Sequence, residues 1–289
     1  MIAQSFMHID LATPLLDGLS PTQFMRRHWQ KKPLLVRAAA ADAAGLVTRA
    51  ELLALAARDD VESRVVQCED GHWTLRHGPF ARRALPSLAQ PQWTLLVQGV
   101  DLHVEAAHRL LQRFRFVPDA RLDDVMVSYA TDGGGVGPHI DSYDVFLLQL
   151  SGRRRWRIGR VRTPSFRPDV PLRILSEFAP THEWLLEPGD MLYLPPGWGH
   201  EGTADGETIT ASIGFRAAGA HSLGARVVQQ LVDAFEAPDR ERLYTDPEQA
   251  ATLQPARIPE ALQAFASESV ARLLEERGAC ARALGEALS

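Results

Sequence analysis

Cysteine is nearly absent from the 289-residue chain: only Cys68 and Cys280 occur, far apart and without CxxC or finger-type spacing. A disulfide scaffold and a zinc finger are thereby excluded, and both thiols are expected to be free and buried. An excess of positive charge is missing too. The formal net charge is -5 and the pI about 6.1, which argues against non-specific nucleic-acid binding by counterion release, whereas a basic polypeptide would be a suitable partner. No apolar run approaches the roughly 18 to 20 residues that cross a bilayer, since LLVQGV and FLLQL are both interrupted within a few positions. The opening MIAQSFMHIDLATPLL places Asp10 early and has neither a basic leader nor an unbroken apolar stretch. Export is therefore not expected, and the cytoplasm is. Internal repeats and low-complexity tracts are lacking beyond short alanine patches.

What remains is the composition of an ordinary soluble globular protein, with 45% hydrophobic and 23% charged residues in a chain long enough to bury a sizeable core. Residues 20 to 60 read as helical at both ends. Ser20 and Thr22 are candidate caps before QFMRRHWQ, and Thr48 precedes the periodic run ELLALAARDD. Between them KKPLLVRAA reads as a strand opened by Pro33. The stretch from Val65 to Arg76 predicts a hairpin around Glu69-Asp70-Gly71, and WTLLVQGVD predicts a strand leading to the helix AAHRLLQRFRF. From about 121 to 216 short β-rich runs (VMVSYA, VFLLQL, RRWRIG, EWLLE, MLYLPP, TITASIGF) alternate with turns bearing glycine or proline. That is the punctuation of a barrel or sandwich. After Ala217 the apolar spacing turns helical.

Within the β-rich part, GGGVGPHIDSYDVFLLQL holds His139 and Asp141 two apart. Strand alternation aims both side chains into one cavity. In EPGDMLYLPPGWGH a turn at Pro188-Gly189-Asp190 launches an apolar strand that delivers His200. Two histidines and one carboxylate on one face of an octahedral metal leave open positions for a chelating cosubstrate and dioxygen, as non-haem Fe(II) oxygenases require. Zinc would prefer a closed tetrahedron. The motif LSGRRRWRIG crowds four arginines onto one strand. Alternation predicts that Arg153, Arg155 and Arg157 face solvent, while Arg154 shares the other face with Trp156 and Ile158. An inward guanidinium is costly unless a carboxylate meets it, and the distal carboxylate of 2-oxoglutarate is a candidate.

HID, followed fifteen residues after the histidine by Arg154 in a GRRRW context and then by PGDMLYLPPGWGH, resembles the cupin-like JmjC hydroxylases, and most nearly the bacterial ribosomal oxygenases. HWQKKPLLVRAA, WTLLVQGVD, GGGVGPHID and the helical tail extend the resemblance over nearly the whole chain. It implies a mainly β fold with helical additions: a double-stranded β-helix (cupin/JmjC) catalytic domain with an N-terminal helical cap over 1–216, and a helical dimerisation region over 217–289. It further implies a 2-oxoglutarate-dependent dioxygenase with Fe(II) on His139, Asp141 and His200, and 2-oxoglutarate held by Arg154 with Ser128 and Ser212 beside it. The implied substrate is an arginine of protein sixteen of the large ribosomal subunit, hydroxylated at its β-carbon. For that cation, Asp132 and Asp144 are the acidic residues nearest the metal in sequence, with Tyr129 and Tyr143 as candidate pocket walls. Longer members of the family continue into a winged-helix domain, which is expected to be absent here because the sequence stops at Ser289. Two other readings stay open at this point. One is the same chemistry on a histidine, a lysine or a small molecule; the other is a non-catalytic metal-binding ribosome assembly factor.

Overall fold

The computed structural model describes residues 8–234, 242–247, 254, 256–275 and 278–288. Contacts divide the chain into two compact units, Met1–Ala217 and Ala218–Ser289.

The first unit begins with helix α1 (Pro21–Arg27), closed at its start by a capping box in which Ser20 and Gln23 satisfy one another's backbone N–H groups. Thr22 lies inside the first turn and hydrogen-bonds back to Ile9 and Asp10 instead. Strand β1 (Leu34–Val36) follows Pro33, and helix α2 (Arg49–Leu55) starts with a second capping box from Thr48 and Glu51. Strands β2 (Ser63–Glu69) and β3 (His72–His77) form the expected hairpin. Asp70 and Gly71 both take positive φ there, 49° and 80°, the geometry a tight two-residue turn demands. Strand β4 (Trp93–Val97) leads through helix α3 (Glu105–Gln112) to β5 (Leu122–Ala130). The rest of the unit is β6 (His139–Ile140), β7 (Val145–Arg160), β8 (His182–Leu186), β9 (Met191–Leu194) and β10 (Trp198–Phe215).

These strands pair in the order β1-β9-β7-β10-β5-β4-β2-β3, with β6 on β10 and β8 on β7. VFLLQL and RRWRIG, expected as separate short strands, are one strand, and TITASIGF is likewise the second half of β10. Both long strands bend in the middle. Gly152 takes φ +64°, where a Cβ would meet the Glu207 carbonyl at 2.0 Å, and the β7–β10 register slips between Asp205 and Ile209. The bend splits the pairing into two faces. The first half of β7 lies between β9 and the end of β10, and its second half between β8 and the start of β10. Side chains from both halves line one cavity, as in a double-stranded β-helix.

Burial follows the pleat. On the first half of β7, Phe146, Leu148 and Leu150 join a large core with Phe24, Leu52 and Phe114 from the helical side and Tyr193 from β9. Val145 and Leu147 point the other way and cluster with Trp156, Ile158 and Leu186. Both faces are thus covered, which is why VFLLQL is apolar at every position except Gln149, which is itself buried and donates to Thr208.

The second unit holds α4 (Ala220–Asp233), α5 (Glu260–Glu275) and α6 (Ala279–Leu288). Helix α6 buries Ala279, Ala283 and Ala287 at i, i+4 spacing, and α4 packs with it. Both cysteines are free as expected, but neither is buried: Cys280 is exposed and Cys68 half-buried at the end of the β2–β3 hairpin. Arg37 ties β1 to the turn before β9 through Asp190 at 2.5 Å, and Ala38 N–H donates to the other oxygen of that carboxylate.

Candidate metal centre

His139 and His200 are direct register partners across β6 and β10, so the antiparallel ladder itself puts the two imidazoles side by side. Their ring centroids are 4.1 Å apart. Asp141, just past β6, brings Oδ2 to 3.5 Å from His200 Nε2. One ligand atom from each of the three residues lies within 4.8 Å of the others. The tautomers are set by the backbone. His139 Nδ1 is 3.0 Å from the Gly137 carbonyl and His200 Nδ1 is 3.2 Å from the Trp198 carbonyl. A carbonyl only accepts, so each Nδ1 carries the proton and each Nε2 keeps its lone pair free for a metal. Burial, reinforced by the neighbouring His139, pushes His200 down to about 4, so this ring is neutral at physiological pH. Two neutral imidazoles and a carboxylate facing a cavity are a donor set that fits a divalent transition metal with open positions.

Deeper in the same cavity lies Arg154. Its outward neighbours pair with acids on the barrel surface: Arg153 with Asp205, Arg155 with Glu183 and Arg157 with Glu201. Arg154 is 3% exposed and has no such partner among the described residues. Its Nη1 donates to Ser128 Oγ at 3.0 Å and its Nη2 to the Gly202 carbonyl at 3.2 Å, while Nε finds no acceptor. Its guanidinium sits 5.1 Å from the Trp156 ring centroid. Burial lowers Arg154 to about 10, which still leaves it charged at neutral pH. A buried cation held only by hydroxyls, a carbonyl and a π face is a poorly compensated charge. Gly202 makes room for it, because a Cβ there would approach both Arg154 Nε and the Trp156 ring to 2.7 Å.

The cavity encloses about 330 Å³. Ser128, Ser212 and Tyr143 all line it together with the triad and Arg154. The Tyr143 hydroxyl hydrogen-bonds Asp141, and burial together with that carboxylate raises its pKa. Three other residues expected near a substrate are not brought to the cavity. Asp144, in the connection just before β7, is fully buried, accepting from Tyr193 Oη at 2.6 Å and from Gln30 Nε2 at 3.0 Å, with Arg121 at 3.6 Å. Tyr129 is also fully buried, its hydroxyl donating to Glu207 at 2.9 Å. Asp132 is exposed and caps the Gly206 N–H at 2.8 Å. Tyr129 is turned away because it alternates with the cavity-lining Ser128 on β5, whereas Asp132 and Asp144 lie outside the strands and are held by the contacts just described.

Besides Asp141, the acids that line the cavity are Asp123 and Asp124, at the start of β5. Asp124 accepts from the Gly99 N–H at 2.7 Å, and burial raises it to about 6. A sequence signal for it existed: Asp124 lies four residues before Ser128 and so shares its strand face.

A metal triad on the inner face of a double-stranded β-helix, with a lone guanidinium set deeper in the cavity, defines the JmjC class of cupin-fold proteins. The JmjC domain family matches residues 109–223. The ribosomal protein uL16 3-hydroxylase of Escherichia coli is 42% identical over 195 residues, covering 67% of this chain and 52% of that protein. A probable ribosomal oxygenase of Haemophilus influenzae is 34% identical over 212 residues, 72% of this chain and 52% of the other. The chain thus spans about half the length of these curated relatives. Among solved structures, E. coli YcfD superposes with a TM-score of 0.80 at 34% identity, covering 93% of this chain and 71% of that one. YcfD described as a ribosomal oxygenase in complex with cobalt and 2-oxoglutarate matches with a TM-score of 0.76 over 94% of this chain and 71% of that one. The chain belongs to the JmjC-domain family of ribosomal oxygenases.

Proposed function

We propose that the protein is an Fe(II)- and 2-oxoglutarate-dependent dioxygenase that hydroxylates the β-carbon of an arginine in the large-subunit ribosomal protein uL16. The observation that carries this reading is the buried, carboxylate-free Arg154 in the same cavity as the triad. The names of the relatives support the substrate.

In this reading His139, Asp141 and His200 hold iron. With 2-oxoglutarate and dioxygen bound, that centre supplies the oxidising power to hydroxylate an unactivated carbon, with succinate and carbon dioxide as co-products. The protein's own work is placement and exclusion of water. Arg154 pairs with the distal carboxylate of 2-oxoglutarate, and Ser128 fixes the plane of the guanidinium through its 3.0 Å hydrogen bond. Ser212 borders the cosubstrate from β10, and Val145, Leu147 and Trp156 keep the wall dry. Asp124, with Asp123, receives the guanidinium of the substrate arginine, and Tyr143 borders it beside Asp141. No side chain has to act as general acid or base.

The unit from 218 to 289 serves as a homodimerisation region in this reading, supported by the exposed Val228, Val232, Val270 and Leu274 on its helices. The site of action is the cytoplasm, where a ribosomal substrate is met. No helix among the described residues is long and apolar enough to cross a membrane.

The test is succinate release from 2-oxoglutarate by anaerobically purified, Fe(II)-loaded protein, with and without a uL16 peptide spanning the target arginine. Peptide-stimulated release with a one-oxygen mass gain on arginine is expected. Release that ignores the peptide retains the oxygenase and removes this substrate; no release removes the reaction.

A further inference from the structure

A second recess adjoins the metal cavity on the same face of the large sheet. Cavity-facing positions on β2 run Arg64, Val66, Cys68 by strand alternation. Arg64 lines the metal cavity and Cys68 lines the neighbouring recess, which encloses about 270 Å³. The divider is the glycine loop before β6. Val136 and His139 face the metal side, while Gly133, Gly135 and Gly137 back the second recess. These glycines are there for close approach: a Cβ on Gly135 would meet the Gly202 carbonyl at 2.5 Å, and one on Gly137 would meet Ile174 at 2.9 Å and Trp73 at 3.2 Å. The floor is therefore bare backbone, and the side chains around it come from elsewhere. Trp73 offers a half-buried indole, and the recess is flanked by two carboxylates: Asp70 at the hairpin turn and Glu201 on β10. Glu201 is partly neutralised by Arg157 at 2.9 Å, whereas Asp70 is exposed.

An indole and two carboxylates lining one recess select a cation. From this we infer that the recess is a docking site for a second basic side chain of the same polypeptide whose arginine enters the metal cavity. The inference rests on the oxygenase reading for the register of that arginine, though not for the binding itself. The spacing follows from the sheet. Arg64 and Cys68 are four residues apart on a strand, about 13 Å at ~3.3 Å per residue. An extended polypeptide lying across the glycine loop thus places its second cation about four residues from the target. The two sites together would require a lysine or arginine at a set distance from the modified residue, which a single pocket does not impose.

The experiment is fluorescence anisotropy on the full chain with two labelled glycine-rich peptides. Each carries one arginine, and four residues away one has lysine where the other has glutamine. The lysine peptide is expected to bind about tenfold more tightly, the sum of one cation–π contact and one exposed ion pair. Asp70→Asn, which keeps a residue that tolerates the positive φ of the turn, and separately Trp73→Leu, are expected to reduce that preference to about twofold or less. The glutamine peptide should bind these variants as it binds the wild type. Equal affinities in the wild type, a preference that survives both substitutions, or a parallel loss for both peptides would overturn the inference. Succinate release assayed on the same preparations separates the two readings, because a lysine preference without any turnover sinks the oxygenase and leaves the recess standing.

Discussion

Arg154 shows how a single residue can be costly to the fold and necessary to a site. It is buried, and among the described residues it meets no carboxylate and one of its nitrogens finds no acceptor. Replacing an uncompensated buried charge by an apolar side chain of similar length is neutral or stabilising in general. Arg154→Met should therefore hold or raise the unfolding temperature while weakening 2-oxoglutarate binding about a hundredfold, the loss of ~3 kcal/mol in charge-assisted hydrogen bonds. Thermal unfolding alongside the KM for 2-oxoglutarate measures both; parallel losses would mean that the guanidinium is structural. Asp124 makes a different prediction. Burial raises its carboxyl to about 6, so it is largely protonated below that pH and charged above it. Affinity for a cationic peptide should rise as pH increases through about 6, and Asp124→Asn should flatten that rise. Anisotropy titrations between pH 5 and about 8 would decide the matter, and an unchanged profile in the variant would assign the titration to another group.

At the scale of the element, the controlling feature is the bend that lets β7 and β10 serve both halves of the barrel. Gly152→Ala would force a side chain into the left-handed region and into the Glu207 carbonyl. A loss of at least ~2 kcal/mol is expected in chemical denaturation, and a cost near that of an ordinary surface substitution would show that the bend does not depend on this residue. The bend is also where sequence and structure part. Strand identity was legible because alternation and β-branched runs mark it locally. That the two runs flanking Ser151-Gly152 continue as one strand depends on pairing with residues far along the chain. The triad was legible because HxD is a local pattern and His200 follows a strand with clear punctuation. Arg154 was legible from the contrast with its neighbours on the other face. Asp124 shares a strand face with Ser128 but is distant from the HxD in sequence, whereas Asp132 and Asp144 are close to it yet lie outside the strands, so local spacing does not rank the three. Asp144 instead anchors the segment after α1 to the barrel through Gln30 and Tyr193, a role that no local pattern announces.

For the molecule as a whole, the helical unit carries apolar side chains that its own described helices leave exposed. Val228 and Val232 on α4 are 55% and 61% exposed, and Val270 on α5 is 57% exposed. Light scattering on the full chain is expected to return the mass of two chains, and Val228→Asp with Val232→Asp to return one without loss of the barrel's cooperative unfolding. A single-chain mass for the wild type would remove the dimer.

The pairing of β7 with β10 has a last consequence, for the order in which the metal centre forms. His200 and Arg154 both lie within one long ladder running from Trp198 opposite Arg160 to Gly214 opposite Val145. His139 belongs to a strand of two residues, and Asp141 lies beyond it. One ligand, His200, is thus built with Arg154 into the longest ladder of the barrel, and the other two hang on or beyond a strand of two residues. Amide exchange around 154–158 should require opening of the whole barrel, while exchange at 139–141 proceeds through a small local opening that bound metal suppresses. His139 and Asp141 are then expected to be the last ligands in place and the first to release, so metal should exchange without global unfolding.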